Sequence, residues 1–146
     1  MSLQPLVVTR NDYPRPLHVV GEQITVLASG AGTGSYEIFM QEGAEGSGPP
    51  PHSHPWDEAF YVTRGEVAFG LGPDQLTAVA GTLVHIPAGT IHWFRFGQGG
   101  GAMFSVTTKL GASRMFEEID REISPTAPDM GKLVQIATQH GLTLAM

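Results

Sequence analysis

Short apolar runs separated by Gly and Pro recur along the first two thirds of the chain. Seven of them stand out: Ile24–Ala28, Tyr36–Met40, Glu58–Thr63, Glu66–Leu71, Leu83–Ile86, Ile91–Phe96 and Ala102–Thr108. Their spacing of about 8–12 residues predicts the strands of an antiparallel sandwich or barrel. Within this pattern we expect a hairpin turn at Arg64–Glu66 and a flexible glycine loop at Gly97–Gly101.

The pattern changes to helical spacing beyond Gly111. Apolar residues recur at helical intervals from Met115 to Ile123, and Ser113 stands where a helix cap is expected. A second helix is predicted from about Pro128 to His140, with Gly141 placed to end it. The last part of the chain is therefore predicted to be helical.

The composition agrees with one β-rich domain. The 146 residues include 19 Gly and 11 Pro, and only 15% are charged, which suits short strands joined by tight turns. This length supports one hydrophobic core. We predict an all-β barrel over residues 1–111 and a helical cap over residues 112–146 of the same single domain.

Charge and residue types exclude several classes of function. The net charge is −6 and only eight residues are Lys or Arg, so a nucleic-acid partner is not expected. The absence of cysteine excludes thiolate ligands, disulfides and a cysteine nucleophile. No apolar run approaches the ~20 residues of a membrane span. We expect a cytoplasmic protein whose partner is a small molecule.

Three residues near the middle of the chain form a candidate metal site. His52 and His54 stand at i and i+2, so both side chains point to the same face of an extended segment. Glu58 keeps the same parity, although Pro55 breaks the run and places the histidines on the approach to a strand that begins near Asp57. A single histidine pair of this kind is more often structural than ligating.

His92 is the fourth candidate ligand. It opens an apolar run whose face also carries Phe94 and Phe96, so we expect its imidazole inside the barrel. A buried imidazole is costly unless a partner satisfies it, and a divalent metal would do so. Three imidazoles and a carboxylate suit one first-row transition metal better than Ca or Mg, and leave Fe, Mn, Ni, Cu and Zn as candidates.

The spacing of these residues resembles the two motifs of the cupin family. The first motif corresponds to Gly46, five residues, His52-x-His54, three residues, Glu58, six residues and Gly65. The second corresponds to Gly81, five residues, Pro87-x-Gly89, two residues and His92. Only the last position of the second motif differs, because Phe96 stands where the family usually has a non-ligating Asn.

Further segments are similar to the single-domain, quercetin-dioxygenase-like branch of the cupins (cupin 2). They are Leu17–Ile24, Thr33–Gly34, Pro49–Pro51, Asp57–Val62, Met115–Glu118 and Ile136–Gly141. That resemblance implies a double-stranded β-helix (jelly-roll) barrel, with His52, His54, Glu58 and His92 on the metal. It also implies a homodimer formed through the barrel sheets. It does not identify a substrate, because this fold carries many activities.

The metal set suggests oxidative cleavage of a small electron-rich enol or phenol by molecular oxygen. Glu58 would loosen from the metal and act as the general base. The expected pocket residues are Phe60, Phe94, Phe96, Met40, Met103, Trp56 and His85. Each of these could instead fill the barrel or its surface. The alternatives for the whole protein are a non-catalytic metal-containing binding cupin and a metal-assisted isomerase.

Overall fold

The computed structural model of the protein describes residues 3–108 and 111–145 and is built on one curled antiparallel sheet. Its strands are β1 (Leu17–Val19), β2 (Glu22–Ala28), β3 (Tyr36–Gly43), β4 (His52–Ser53), β5 (Glu58–Leu71), β6 (Asp74–Val79), β7 (Leu83–Ile86), β8 (His92–Thr108) and β9 (Thr143–Leu144). Its helices are α1 (Gly30–Thr33), α2 (Ala112–Glu122) and α3 (Met130–Gln139), and a 3-10 turn spans Arg10–Asp12. The predicted all-β barrel with a C-terminal helical extension is confirmed.

Two long bent strands, β5 and β8, form the centre of the barrel. They pair antiparallel from Glu58 opposite Thr107 to Leu71 opposite His92. β3 also pairs with the second half of β8, while β6 and β7 pair with β5. The barrel therefore depends on pairings between residues far apart in the sequence.

The bend in β5 and β8 corrects two predictions. The expected hairpin turn at Arg64–Glu66 lies inside β5, and the expected loop at Gly97–Gly101 lies inside β8. Gly65 has φ +74°, and a Cβ on it would stand 2.4 Å from the carbonyl oxygen of Gly100. The glycines let two paired strands bend together at a barrel corner. The same glycines favour a turn when only the local sequence is considered, so a chain reversal was predicted.

The buried apolar side chains form two cores. The barrel interior contains Phe60, Val62, Val67, Phe69, Ala78, Val84, Ile86, Phe94, Phe96 and Met103. The second core lies between the sheet and the C-terminal helices, and contains Ile24, Phe39, Trp56, Ala112, Met115, Ile119, Ile123, Ile136 and Ala137. The helices thus cover one side of the barrel with their apolar faces.

The start of α2 corrects the expected role of Ser113. Gly111 stands at the N-cap position, and Ser113 is buried within the first turn. Its backbone N–H donates to Glu37 Oε1 at 3.0 Å, and its hydroxyl donates to Glu37 Oε2. Glu37 also accepts from the backbone N–H of Gly30 at 2.8 Å. A buried carboxylate on β3 therefore fixes the start of the helical extension.

The pattern of apolar residues did not predict the short or exposed strands. β1, β4 and β9 have three residues or fewer, and five of the six residues of β6 are exposed. Gly141 ends the last helical segment with φ +98°, as predicted. Among the described residues, no helix is both long and apolar enough to span a membrane.

Candidate metal centre and its cavity

Three buried imidazoles converge at one end of the barrel. His52 on β4 pairs directly with His92, the first residue of β8, and His54 follows two residues after His52. The nitrogen atoms that these rings offer all lie within 4.8 Å of one another. His52 thus belongs to a short strand of its own rather than to the approach of β5, and pairing with β8 brings His92 beside it.

Glu58 completes the group. It is the first residue of β5, and its Oε1 lies 3.2 Å from Nε2 of His54 and 3.5 Å from Nε2 of His92. The four residues selected from the sequence are therefore brought together by three different strands and one loop. They offer three nitrogen donors and one oxygen donor.

Main-chain carbonyls orient each imidazole. Nδ1 of His52 donates to the carbonyl of Pro50 at 2.8 Å, and Nδ1 of His92 donates to that of Thr90 at 2.8 Å. Nδ1 of His54 donates to the carbonyl of Trp56 at 3.0 Å. Because Nδ1 carries the hydrogen in each ring, Nε2 keeps its lone pair in the neutral imidazole. This arrangement prepares all three rings to bind a cation through Nε2.

One buried nitrogen atom supports the binding of a divalent cation at this centre. Nε2 of His92 is buried and has no hydrogen-bond partner among the described residues. In the neutral ring its lone pair faces a carboxylate oxygen 3.5 Å away, and that approach is unfavourable unless a positive charge lies between them. A nitrogen-rich set with one carboxylate suits a first-row transition metal.

The charges of these residues at neutral pH agree with this fit. Burial, together with the neighbouring charge of His92, lowers the pKa of His52 to about 4, so its ring is neutral. Burial by itself would raise the pKa of Glu58, but the contacts with His54 and His92 outweigh it and lower that pKa to about 2. Glu58 is therefore an anion near the neutral ring of His52.

A cavity of about 350 Å³ adjoins these residues. His52, His54 and Glu58 line it from the sheet side. Most of the remaining wall is apolar, and nearly half of its residues come from the helical extension, including Met115, Phe116, Ile119, Leu133, Val134 and Ala137. A cavity of this size and polarity is typical of small-molecule sites.

The structure keeps only part of the expected pocket. Trp56 and Phe94 line the cavity. Phe60, Phe96 and Met103 are instead packed in the barrel core. Met40 lies on the outward side of β3, since its neighbours Phe39 and Gln41 are the buried ones, and His85 is exposed between buried Val84 and Ile86. The placement of Met40 and His85 in the pocket was wrong, because the sequence did not show which alternate residues of their strands face the barrel interior.

Trp56 packs directly against one of the candidate ligands. Its indole ring is stacked on the imidazole of His54, with ring centroids 4.4 Å apart and planes 10° from parallel. Trp56 is 2% exposed. The stacking holds the His54 ring in one orientation and makes the indole a reporter of events at that imidazole.

Glu22 and Gln41 are cavity residues that the sequence analysis missed. Gln41 Nε2 donates to Glu22 Oε1 at 3.3 Å, and both side chains are buried. Burial, with a further contribution from the charge of Glu58, raises the pKa of Glu22 to about 8. The alternation of β3 could have identified Gln41, because it lies two residues beyond Phe39 and four beyond Glu37 and so shares their inward-facing side.

Comparison with protein families and curated proteins gives consistent matches. Residues 39–106 match the family model described as Cupin domain. The chain is 30% identical over 105 residues to quercetin 2,3-dioxygenase of Bacillus subtilis, covering 70% of this chain and 31% of that protein. It is 39% identical over 66 residues to acireductone dioxygenase 1 of Pectobacterium atrosepticum, covering 42% of this chain and 33% of that protein. The chain thus spans about a third of the length of these curated relatives.

Solved structures share the fold at low sequence identity. KdgF from Halomonas sp. superposes with a TM-score of 0.68 and 15% identity, over 76% of this chain and 99% of that one. An RmlC-like cupin from Shewanella frigidimarina gives 0.67 and 14%, over 78% and 99%. At such identities the likeness concerns the barrel architecture alone.

Proposed function

This chain is a cupin, and from that premise we propose that it is a metal-dependent dioxygenase acting on a small aromatic or enolic substrate. The observation that carries the proposal is the junction of a three-nitrogen, one-oxygen donor set with an apolar cavity. The similarity to two dioxygenases supports the reaction class. The proposed reaction cleaves an electron-rich carbon–carbon bond, and both atoms of oxygen enter the products, so no external reductant is needed.

His52, His54, His92 and Glu58 would hold one divalent ion of Fe, Mn, Ni, Cu or Zn. When bound, such an ion supplies Lewis acidity toward a substrate hydroxyl and, for the redox-active members, electron transfer with oxygen. The Nδ1 hydrogen bonds to main-chain carbonyls keep the imidazoles oriented without consuming Nε2.

The remaining steps belong to the side chains of this chain. Glu58 lines the cavity, so its carboxylate is the group placed to take the hydroxyl proton of a substrate bound there. Trp56, Phe94 and Met115 supply flat or adaptable apolar surface that binds an aromatic ring and excludes water. These residues therefore bind, orient and deprotonate the substrate.

The metal assignment is tested by elemental analysis of protein purified without added metal. The His52→Ala, His54→Ala double variant removes two donors and is expected to lose nearly all bound metal. The matched control is the His18→Ala, His85→Ala double variant, because both of these histidines are exposed. A folded His52→Ala, His54→Ala protein with full metal content would contradict the assignment.

Tryptophan fluorescence gives a second readout of metal binding. In a Trp93→Phe background, Trp56 is the only indole, since the chain has two tryptophans. Stacking on His54 predicts that Cu or Ni titration quenches its emission with one saturable site. An unchanged spectrum in protein that retains metal would show that the ion lies elsewhere.

The reaction is tested with an oxygen electrode and labelled oxygen. Metal-loaded protein should consume oxygen with a flavonol, a catechol or a β-diketone and place both labelled atoms in the products. Binding of one of these compounds without oxygen uptake would favour a non-catalytic binding cupin. Turnover without oxygen would favour a metal-assisted isomerase.

We also propose that the protein pairs with a second copy through an outer face formed by Tyr61, Leu83, Phe104 and Val106. Each of these side chains is at least 40% exposed. Tyr61 is the direct cross-strand neighbour of both Leu83 and Phe104, so the apolar surface is continuous across β7, β5 and β8. A continuous apolar face of this kind is self-complementary across a two-fold axis.

A further inference from the structure

The pair Glu22–Gln41 is a buried polar site within the wall of the otherwise apolar cavity. Glu22 begins β2, and Gln41 lies near the end of the neighbouring β3, so one hairpin presents both side chains to the inside. They are 6% and 4% exposed. The cavity that they line is the one that His52, His54 and Glu58 also line. A ligand in it therefore meets the metal centre and this pair together.

The hydrogen bonding of Gln41 is incomplete. Its amide nitrogen donates to Glu22 Oε1, but its carbonyl oxygen Oε1 is buried and has no partner among the described residues. A buried acceptor without a donor is costly, and native proteins usually satisfy such atoms. Since this atom belongs to a residue in the cavity wall, a ligand is a natural source of the missing donor.

Glu22 supplies a donor to the same place. Burial is the main cause that raises the pKa of Glu22 to about 8, so its carboxyl group is protonated at neutral pH. The charge of Glu58 adds to this shift, and that contribution falls when Glu58 binds a cation, whereas the contribution of burial remains. Within the part of the chain that the structure describes, the other titratable groups that line the cavity are His52, His54 and Arg95. The cavity wall formed by α2 and α3 carries none.

We propose that Glu22 and Gln41 form a specificity site for a hydroxyl group of the substrate. A single hydroxyl group can donate to Gln41 Oε1 and accept from the carboxyl group of Glu22 at the same time. A carbonyl cannot donate to Gln41, and a carboxylate would bring a second negative charge beside Glu58. The inference rests on the proposed function, and it adds that the substrate carries a hydroxyl group besides the one that reaches the metal centre.

The test uses ligand binding to Zn-loaded protein, because Zn does not change redox state and the probes are not turned over. The probes are 3-hydroxyflavone, 3,4′-dihydroxyflavone and 3,7-dihydroxyflavone. Each dihydroxyflavone carries one hydroxyl group more than 3-hydroxyflavone, and the two extra groups stand at opposite ends of the molecule. Isothermal titration calorimetry gives the affinities. In the wild-type protein we expect one dihydroxyflavone to bind about tenfold more tightly than 3-hydroxyflavone.

Variants locate the source of this preference. Gln41→Leu removes the acceptor and Glu22→Leu removes the donor, and either change should reduce the affinity ratio to within about twofold. Glu22→Gln keeps a donor of similar shape and should retain most of the ratio. Gln23→Leu is the matched control, because Gln23 is exposed on the same hairpin and its loss should leave the ratio unchanged.

Equal affinities for all three probes in the wild-type protein would overturn the inference, and that measurement requires no variant to fold. Failure of all three probes to bind would overturn it as well. An undiminished ratio in both Leu variants would place the hydroxyl site elsewhere. The proposed function is judged separately by metal content and oxygen uptake, so a flat ratio in an oxygen-consuming protein rejects the specificity site alone.

Discussion

At the residue scale, each candidate ligand ring uses one nitrogen for the backbone and keeps the other for the centre. The accepting carbonyls belong to Pro50, Trp56 and Thr90, each two residues from its histidine. Such short loops set the ring orientation before any cation binds, which lowers the reorganisation that binding requires. Nε2 of His92, which has no hydrogen-bond partner in the described part of the chain, is thereby left available for a cation.

Glu22 should make the stability of the protein depend on pH. Its pKa is raised from 4.5 to about 8, so the folded state holds a proton that the unfolded state releases. Its contribution is fully present below pH 4.5 and is lost as the pH rises to about 8. Relative to wild type, Glu22→Gln should therefore gain stability between pH 5 and pH 8.5.

Urea unfolding of both proteins at several pH values measures this difference. Glu42→Gln is the control, because Glu42 is exposed on the neighbouring strand and should leave the pH profile unchanged. Parallel profiles of wild type and Glu22→Gln would show that Glu22 has an ordinary pKa in the folded protein.

The sequence predicted the site residues that are recognised by their spacing along the chain. It did not predict those that reach the cavity only through tertiary packing. The intervals between His52, His54, Glu58 and His92 are recognisable in the sequence itself. Glu22, by contrast, becomes a cavity residue only because α2 and α3 close over the sheet beside it. Local patterns contain no information about which distant helix covers which strand.

At the element scale, the same limit explains the misread bend in β5 and β8. Arg64–Glu66 and Gly97–Gly101 contain glycines that locally favour a turn, and only the pairing of the two strands keeps both segments extended. The strand boundaries at Leu83–Ile86 needed no such information and were predicted as observed.

Gly65→Ala should destabilise the protein at this bend. The residue has φ +74°, and its new Cβ would stand 2.4 Å from the carbonyl oxygen of Gly100, which is main chain and cannot rotate away. We expect a loss of about 2–3 kcal/mol in the free energy of unfolding. Gly72→Ala is the matched control, because Gly72 has φ +58° with nothing within 4 Å of the new Cβ.

The control should cost about 1 kcal/mol, which is the backbone strain alone. Denaturant unfolding of the two variants measures the difference. Equal losses would mean that the strands relax at Gly65 and that the close approach to Gly100 carries no energy.

Glu37 connects β3 to the start of α2, and its removal should weaken that connection. The carboxylate accepts from the backbone of Gly30 and from both the backbone and the hydroxyl of Ser113. Glu37→Ala leaves these donors buried without an acceptor, and we expect a loss of about 3 kcal/mol in unfolding free energy. Glu42→Ala, at an exposed position of the same strand, should change it by less than about 0.5 kcal/mol.

At the scale of the whole molecule, the sheet has one side covered by its own helices and another with exposed apolar side chains. The outer face formed by Tyr61, Leu83, Phe104 and Val106 is the exposed one. Phe104→Glu places a charge in its middle, and we expect this change to convert a dimer to a monomer in light scattering after size exclusion. Val79→Glu, at an exposed position on β6 outside this face, should remain dimeric.

A monomeric wild-type protein, or a Phe104→Glu variant of unchanged mass, would exclude this outer face as the subunit contact.

The order of the elements along the chain has a consequence for biosynthesis. His52, His54, Glu58 and His92 all precede α2 and α3, which form much of the cavity wall. Translation proceeds from the N-terminus, so all four candidate ligands are synthesised before the helical part of the cavity wall. The proposed cation would therefore reach the nascent chain through an open side that the helices later cover, and loading during synthesis would need no opening of the finished protein.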